Sequence, residues 1–130
     1  MDIELLPNEE FKMFAKGYFI SNYGRVFSTK TNKFLATDKN SSGYLRTNIC
    51  LNGKNKHVFI HIKVVEMFGD CNGKKIPKGV KTLHEVDLEI DHLNRNKNNC
   101  SVFNLELVPI KTNRQRWRDI PILENDELGW

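Results

Sequence analysis

Long apolar runs are missing: nothing in the chain approaches the roughly twenty residues a bilayer-spanning helix needs. The opening stretch, MDIELLPNEE, carries four acids and no lysine or arginine, so it lacks the basic start of a secretory leader and an intracellular protein is the expectation. Cysteine is scarce as well. Cys50, Cys71 and Cys100 are odd in number and form no CxxC pair, which argues against a disulfide framework or a cysteine-rich zinc site. Free thiols are the default, with a Cys-His zinc site as the outlying alternative. Length excludes a second independent core: 130 residues make one domain.

Acid is also rare where most of the chain lies. Four acidic residues fall in 1–10 and four in 119–130, and neither segment holds a lysine or arginine. The stretch between them therefore carries all 20 basic residues against the remaining eight acids, a balance of +12 where the whole chain shows +4. A basic body between acidic ends suits a polyanionic partner, or a surface that is lysine-rich only for solubility.

The stretch IDHLNRNKNNCSVFNLELVPIKTN, Ile90 to Asn113, gathers a carboxylate, an imidazole and well-spaced amides. Leu88 to Asp91 reads as a strand that delivers Asp91 and His92 to a loop, and NRNKNNCS is a polar loop of turn formers. LELV is a second short strand, Pro109 suits the first turn of a helix, and IKTNRQRWR continues that helix. Folded back, this strand, loop, strand and helix bring Asp91 and His92 near Asn113.

Further upstream, GYFISNYGRVFS reads as a tight hairpin with Gly24 at its turn. Residues Leu5 to Lys16 before it suggest an irregular or helical lead-in. KFLAT is a brief strand followed by a turn at DKNSSG. GYLRTNICLNGKNKHVFIHI gives two alternating strands about Asn52-Gly53, with Leu45, Thr47, Ile49 and Leu51 on one face and Tyr44, Arg46, Asn48 and Cys50 on the other. HIKVVEMF has helical spacing and ends at Gly69; Asp70 to Val86 is a lysine-rich loop. His57, His61 and His84 are read as structural histidines ahead of catalytic ones.

The residues Asp91-His92, Asn104-Leu105 and Asn113 resemble, in type and spacing, the HNH nuclease motif in its phage and intron homing-endonuclease form. Tyr18, Ser21, Asn22, Gly24, Val26 and Ser28 resemble the nuclease-associated modular DNA-binding motif that precedes such units. Together the two resemblances cover Gly17 to Trp117. They imply an α+β fold in which N-terminal antiparallel hairpins, in residues 1–69, bind DNA and pack on a strand-strand-helix (ββα-metal) nuclease unit in 70–118. An extended acidic tail over 119–130 completes one compact domain.

Carried over by position, the resemblance makes His92 the general base, Asn104 the residue that ties the loop and orients His92, and Asp91 and Asn113 ligands of one Mg2+ or Mn2+ ion. The implied partner is double-stranded DNA, met by a monomer or weak homodimer in the cytoplasm of a bacterial or phage-infected cell, with no membrane involved. Arg25, Tyr44, Arg46, Lys54, Lys56, Lys97, Arg114, Arg116 and Arg118 are the candidate DNA contacts. Asn94 and Arg95 stand where the family has Asp-Gly, which puts a side chain where the turn wants positive φ; Pro109 stands where a capping threonine is common. No recognition helices are found after the unit, so loose site recognition is expected. A DNA-binding module without catalysis, and a nuclease that works only inside a larger phage assembly, remain the alternatives.

Overall fold

In a computed structural model, which describes residues 3–118, the acidic segment 119–130 lies outside the described residues. Alternating apolar residues and tight turns build three antiparallel sheets. The first runs in the order β1 (Phe11–Ala15), β2 (Tyr18–Ser21), β3 (Val26–Ser28) and β4 (Lys33–Phe34). The second contains β5 (Asp38–Lys39), β6 (Leu45–Leu51) and β7 (Lys54–Phe59); the third is a two-stranded ribbon of β8 (Leu88–His92) and β9 (Leu105–Pro109). Helix α1 (Ile60–Phe68) follows β7, and α2 (Ile110–Arg118) follows the ribbon.

The β6–β7 hairpin forms at its expected turn, where Asn52 and Gly53 both take positive φ, 53° and 76°. Thr47 and Ile49 are buried while Asn48 and Cys50 are exposed, as the alternation requires. Its register pairs Arg46 with Phe59 and Asn48 with His57, but Ile49 with Lys56 and Leu51 with Lys54. Directly paired residues share a face, so Lys54 and Lys56 lie on the opposite side of the sheet from Arg46.

Two expectations fail. The lead-in is irregular over Leu5 to Glu10 as expected but becomes a strand over Phe11–Ala15, because Phe11, Lys12 and Met13 find backbone partners in Ser21, Ile20 and Phe19. Such pairing depends on a neighbour elsewhere in the chain and leaves little local signal. Pro109 ends β9 instead of opening α2, paired with Leu88 at the end of the two-stranded ribbon, where a missing N–H is tolerated.

One apolar cluster joins all parts: Ile20 and Val26 from the first sheet, Ile60, Val64 and Val65 from α1, and Ile90, Leu105 and Leu107 from the ribbon. Tyr18 ties the first sheet to the second, its hydroxyl donating to the Cys50 carbonyl at 3.3 Å and accepting from the Cys50 amide at 2.9 Å. The Ser-Asn-x-Gly turn owes its residue types to local bonding. Ser21 Oγ accepts from the amides of Tyr23 and Arg25, and Asn22 uses its side chain to hold Glu10 N–H and the Asn8 carbonyl.

Gly24 sits at φ +85°, and a Cβ there would lie 3.1 Å from both Cys100 Cβ and Ile60 Cγ2 and 3.2 Å from the Cys100 carbonyl oxygen. The turn is thus pressed against the loop of the ribbon, where Val102 N–H also donates to the Asn22 carbonyl at 2.8 Å. Gly53, at φ +76°, has nothing within 4 Å. We expect Gly53→Ala to cost about 1 kcal/mol, the conformational penalty alone, and Gly24→Ala to cost roughly 2–4 kcal/mol. Urea denaturation of both variants measures the difference, and equal losses would show that close packing at Gly24 contributes nothing.

Candidate active site

Alternation along β8 decides which side chain faces what. Glu89 and Asp91 point toward α2, where Glu89 Oε1 accepts from Asn113 Nδ2 at 3.1 Å and Asp91 Oδ2 accepts from Arg116 Nη1 at 3.1 Å. Ile90 and His92 point the other way: Ile90 joins the core, and the His92 ring lies 5.2 Å from that of His61 on α1 and 5.9 Å from that of Tyr44. Tyr44 and His61 are stacked, 4.8 Å apart. Arg116 stands three residues beyond Asn113 on the same helix and reaches Asp91, so α2 lies along the face of β8 that carries Glu89 and Asp91, with His92 next in the strand on the other face.

Asn104 ties the intervening loop. Its Oδ1 accepts from the Asn94 amide at 2.9 Å, and its Nδ2 donates to Asn94 Oδ1 at 3.0 Å and the Asn99 carbonyl at 2.9 Å. Its own carbonyl accepts from Leu93 N–H at 2.8 Å, fixing the residue after His92.

Asp91 is 1% exposed and His92 2%. Burial pushes His92 down to about 4, with Lys97 acting in the same direction against Asp91, so the ring is neutral at pH 7. Its Nε2 is buried and has no hydrogen-bond partner in the protein. His61 is pushed lower, to about 3, by burial first and then by His92 and Lys97. Burial raises the Tyr44 hydroxyl above its ordinary value, helped by Glu89 and Asp91.

Among the described residues no cluster of three or more His, Cys, Asp or Glu side chains could hold a metal. The donors that do suit one are hard oxygens. Asn113 Oδ1 is buried without a partner while the amide nitrogen is pinned by Glu89, which shares its face of β8 with Asp91. One carboxylate and one amide oxygen fit an ion such as magnesium, which keeps much of its shell for water and phosphate.

The candidate DNA contacts fare unevenly. Arg25 is held by Glu9 through both oxygens, one of them 2.8 Å from Nε, and its guanidinium lies over Phe34. Arg46 pairs with Asp38 at 2.9 Å, and Arg114 comes within 3.7 Å of Glu89. Arg116 bridges Asp91 and Glu106, and Arg118 bonds Gln115. Lys97 donates to the Ser42 carbonyl and sits over the rings of Tyr44 and Trp117. Tyr44 covers the two histidines, whereas Lys54 and Lys56 are exposed on the far face of their sheet.

Sequence reading missed Glu89, Glu106, Arg95 and the placement of His61. For Glu89 the signal existed, since a residue two before Asp91 shares its strand face. Arg95 carried a weaker one, the expected positive φ, which is +66°. Glu106 depends on cross-strand register and His61 on how α1 docks, neither of which is local.

The family model described as HNH endonuclease matches residues 58–115, and the NUMOD4 motif matches 9–50. H-N-H endonuclease F-TflII of Escherichia phage T5 is 34% identical over 108 residues, 82% of this chain and 51% of that protein. DNA endonuclease I-HmuI of Bacillus phage SP01 is 31% identical over 105 residues, 81% of this chain and 53% of that protein. A solved structure described as "DNA binding and cleavage by the HNH homing endonuclease I-HmuI" superposes with a TM-score of 0.65 at 27% identity, covering 89% of this chain and 63% of that one. The chain thus spans about half the length of these curated relatives.

The two buried histidines set a pH dependence. Both have folded values below the ordinary 6.5, so their contribution to stability is complete above about pH 6.5 and is lost as the pH falls toward 4 and 3. Stability measured by urea titration should therefore decline from pH 7 to pH 4, and His61→Gln should flatten that decline. An unchanged slope would mean that His61 is accessible to protons in the folded state.

Proposed function

The chain belongs to the HNH endonuclease family, with a NUMOD4 motif ahead of its HNH unit, and from this we infer that it is a DNA endonuclease of the phage homing type that hydrolyses phosphodiester bonds with a divalent cation. One observation carries the reading. A neutral imidazole with an unpartnered Nε2 follows directly on a buried carboxylate in β8, and the face of the strand that carries this carboxylate also holds, through Glu89, an amide with an unpartnered oxygen.

In this reading His92 is the general base. A water bonded to Nε2 gives up its proton as its oxygen attacks phosphorus, and the bond from phosphorus to one ester oxygen breaks. One strand end keeps the phosphate; the departing oxygen takes a proton and becomes a hydroxyl. A value near 4 is low for a base working at neutral pH, but an arriving phosphate and a more hydrated site both favour the imidazolium and raise it. Asn104 is a positioning residue, holding the backbone that follows His92.

Asp91 and Asn113 Oδ1 would hold the cation, Mg2+ or Mn2+, one per site, and it would supply stabilisation of the charge that builds on the phosphate and the leaving oxygen. Double-stranded DNA is the partner of a monomer or weak homodimer. One site per chain cuts one strand per visit, so a nick is the expected product. Exposed lysines, more than the internally paired arginines, supply the attraction to phosphate. Among the described residues no helix is long and apolar enough to cross a membrane, and the reading has the protein acting inside the cell that carries its DNA target.

A second reading, a DNA-binding module without catalysis, draws on the two arginines that occupy both oxygens of Asp91. Plasmid conversion separates the two. With Mg2+ the protein should turn supercoiled DNA into open circles and with EDTA it should not. His92→Ala should lower the rate by roughly 10²–10⁴-fold, the usual worth of a general base. DNA binding without metal-dependent conversion would favour the second reading.

A further inference from the structure

The guanidinium of Arg95 lies inside the molecule, with 9% of its side chain exposed, and on the carboxylate assigned above to the metal. Nη1 donates to Asp91 Oδ1 at 2.9 Å and to the His92 carbonyl at 3.3 Å, and Cζ sits 4.8 Å from the centre of the Trp117 ring. The backbone of Arg95 is left-handed, at φ +66°, a conformation unfavourable for a residue with a long side chain. Its Nε is buried with no partner in the protein. A strained backbone, a desolvated cation and an unused donor are kept together at one carboxylate.

The other cation on Asp91 differs. The Arg116 side chain is 37% exposed, and its Nη1 also donates to Glu106 Oε1 at 2.6 Å, so it can leave Asp91 Oδ2 and stay paired. Arg95 has no such exit, because the Trp117 ring packs on its guanidinium and its other acceptor is a backbone carbonyl.

We propose that Arg95 is a cationic latch on Asp91, which neutralises the buried carboxylate in the free protein and holds down the affinity of the site for a divalent ion. The proposal rests on the nuclease reading of Asp91 and Asn113. A charge of +2 arriving at Asp91 meets a fixed +1 on the same carboxylate, and repulsion at that range inside a protein is strong. Without the latch, an ion-free Asp91 would be a buried carboxylate balanced by Arg116 alone. Arg95 is a positioning residue for Asp91, and its charge sets how much of the ion's attraction remains.

The test is direct binding of Mn2+ at pH 7, read from the loss of the free-ion paramagnetic resonance signal, so that no turnover is involved. Arg95→Gln removes the charge and keeps a side chain of similar reach; Arg95→Lys keeps the charge. The Gln variant should bind Mn2+ at least about tenfold more tightly than the wild type and the Lys variant within about threefold of it. Adding Asp91→Ala to Arg95→Gln should abolish the gain, and urea transitions of each variant establish that it folds. Equal or weaker binding by Arg95→Gln overturns the latch, yet leaves the nuclease reading standing if plasmid conversion still requires His92. Absence of Mn2+ binding in the wild type and in every variant overturns the latch and the metal role of Asp91 together.

Discussion

Burial of the two-stranded ribbon on both of its faces is the constraint on which the rest of the structure depends. A strand turns successive side chains to opposite sides, so the adjacent residues Asp91 and His92 necessarily enter two different environments. On the α2 side Asp91 and Glu89 meet arginines and an amide; on the α1 side His92 meets the tilted ring of Tyr44 and a second histidine. Each environment sets the state of its residue. Two guanidinium groups pair with the buried carboxylate, and on the other face burial keeps the imidazole neutral. A two-stranded ribbon is marginal alone, so both coverings are also what hold it together.

The same constraint explains how much was legible beforehand. Patterns contained within one element read correctly: the Asn52-Gly53 turn, the alternation of β6, and the end of α1 at Gly69, which adopts φ +83°. Asp91, His92, Asn104 and Asn113 stood out because their chemistry and spacing are written along the chain. What could not be read was anything fixed by register between distant segments. Strand β1 exists through Ser21, Ile20 and Phe19, and Lys56 is turned from Arg46 by its pairing with Ile49. His61 illustrates the intermediate case. Its helical spacing with Val64 and Val65 marked the buried face, but not that this face would meet His92.

Arginine and lysine divide the positive charge between them. Arg25, Arg46, Arg95, Arg114 and Arg116 each lie against a carboxylate of the protein itself, at Glu9, Asp38, Asp91, Glu89 and either Asp91 or Glu106. Lys54, Lys56, Lys75, Lys78 and Lys81 are exposed. A planar guanidinium grips a carboxylate with two donors and tolerates burial, whereas an ammonium group keeps its hydration and projects into solvent.

This division shapes how a polyanion would be held. Base edges are read in the major groove mainly by bidentate side chains, and Arg25, Arg46, Arg95 and Arg116 are engaged by carboxylates of the protein itself, whereas Arg114 is 66% exposed and only 3.7 Å from Glu89. The exposed lysines attract phosphate with little regard to sequence, strongly at low salt and weakly at high salt. In the nuclease reading proposed above, the DNA geometries that can bring a phosphate to a buried Nε2 would add a selection by shape. Because His92 is 2% exposed, such an approach would require covering side chains to give way, and the Tyr44 ring, with Lys97 over it, is packed there.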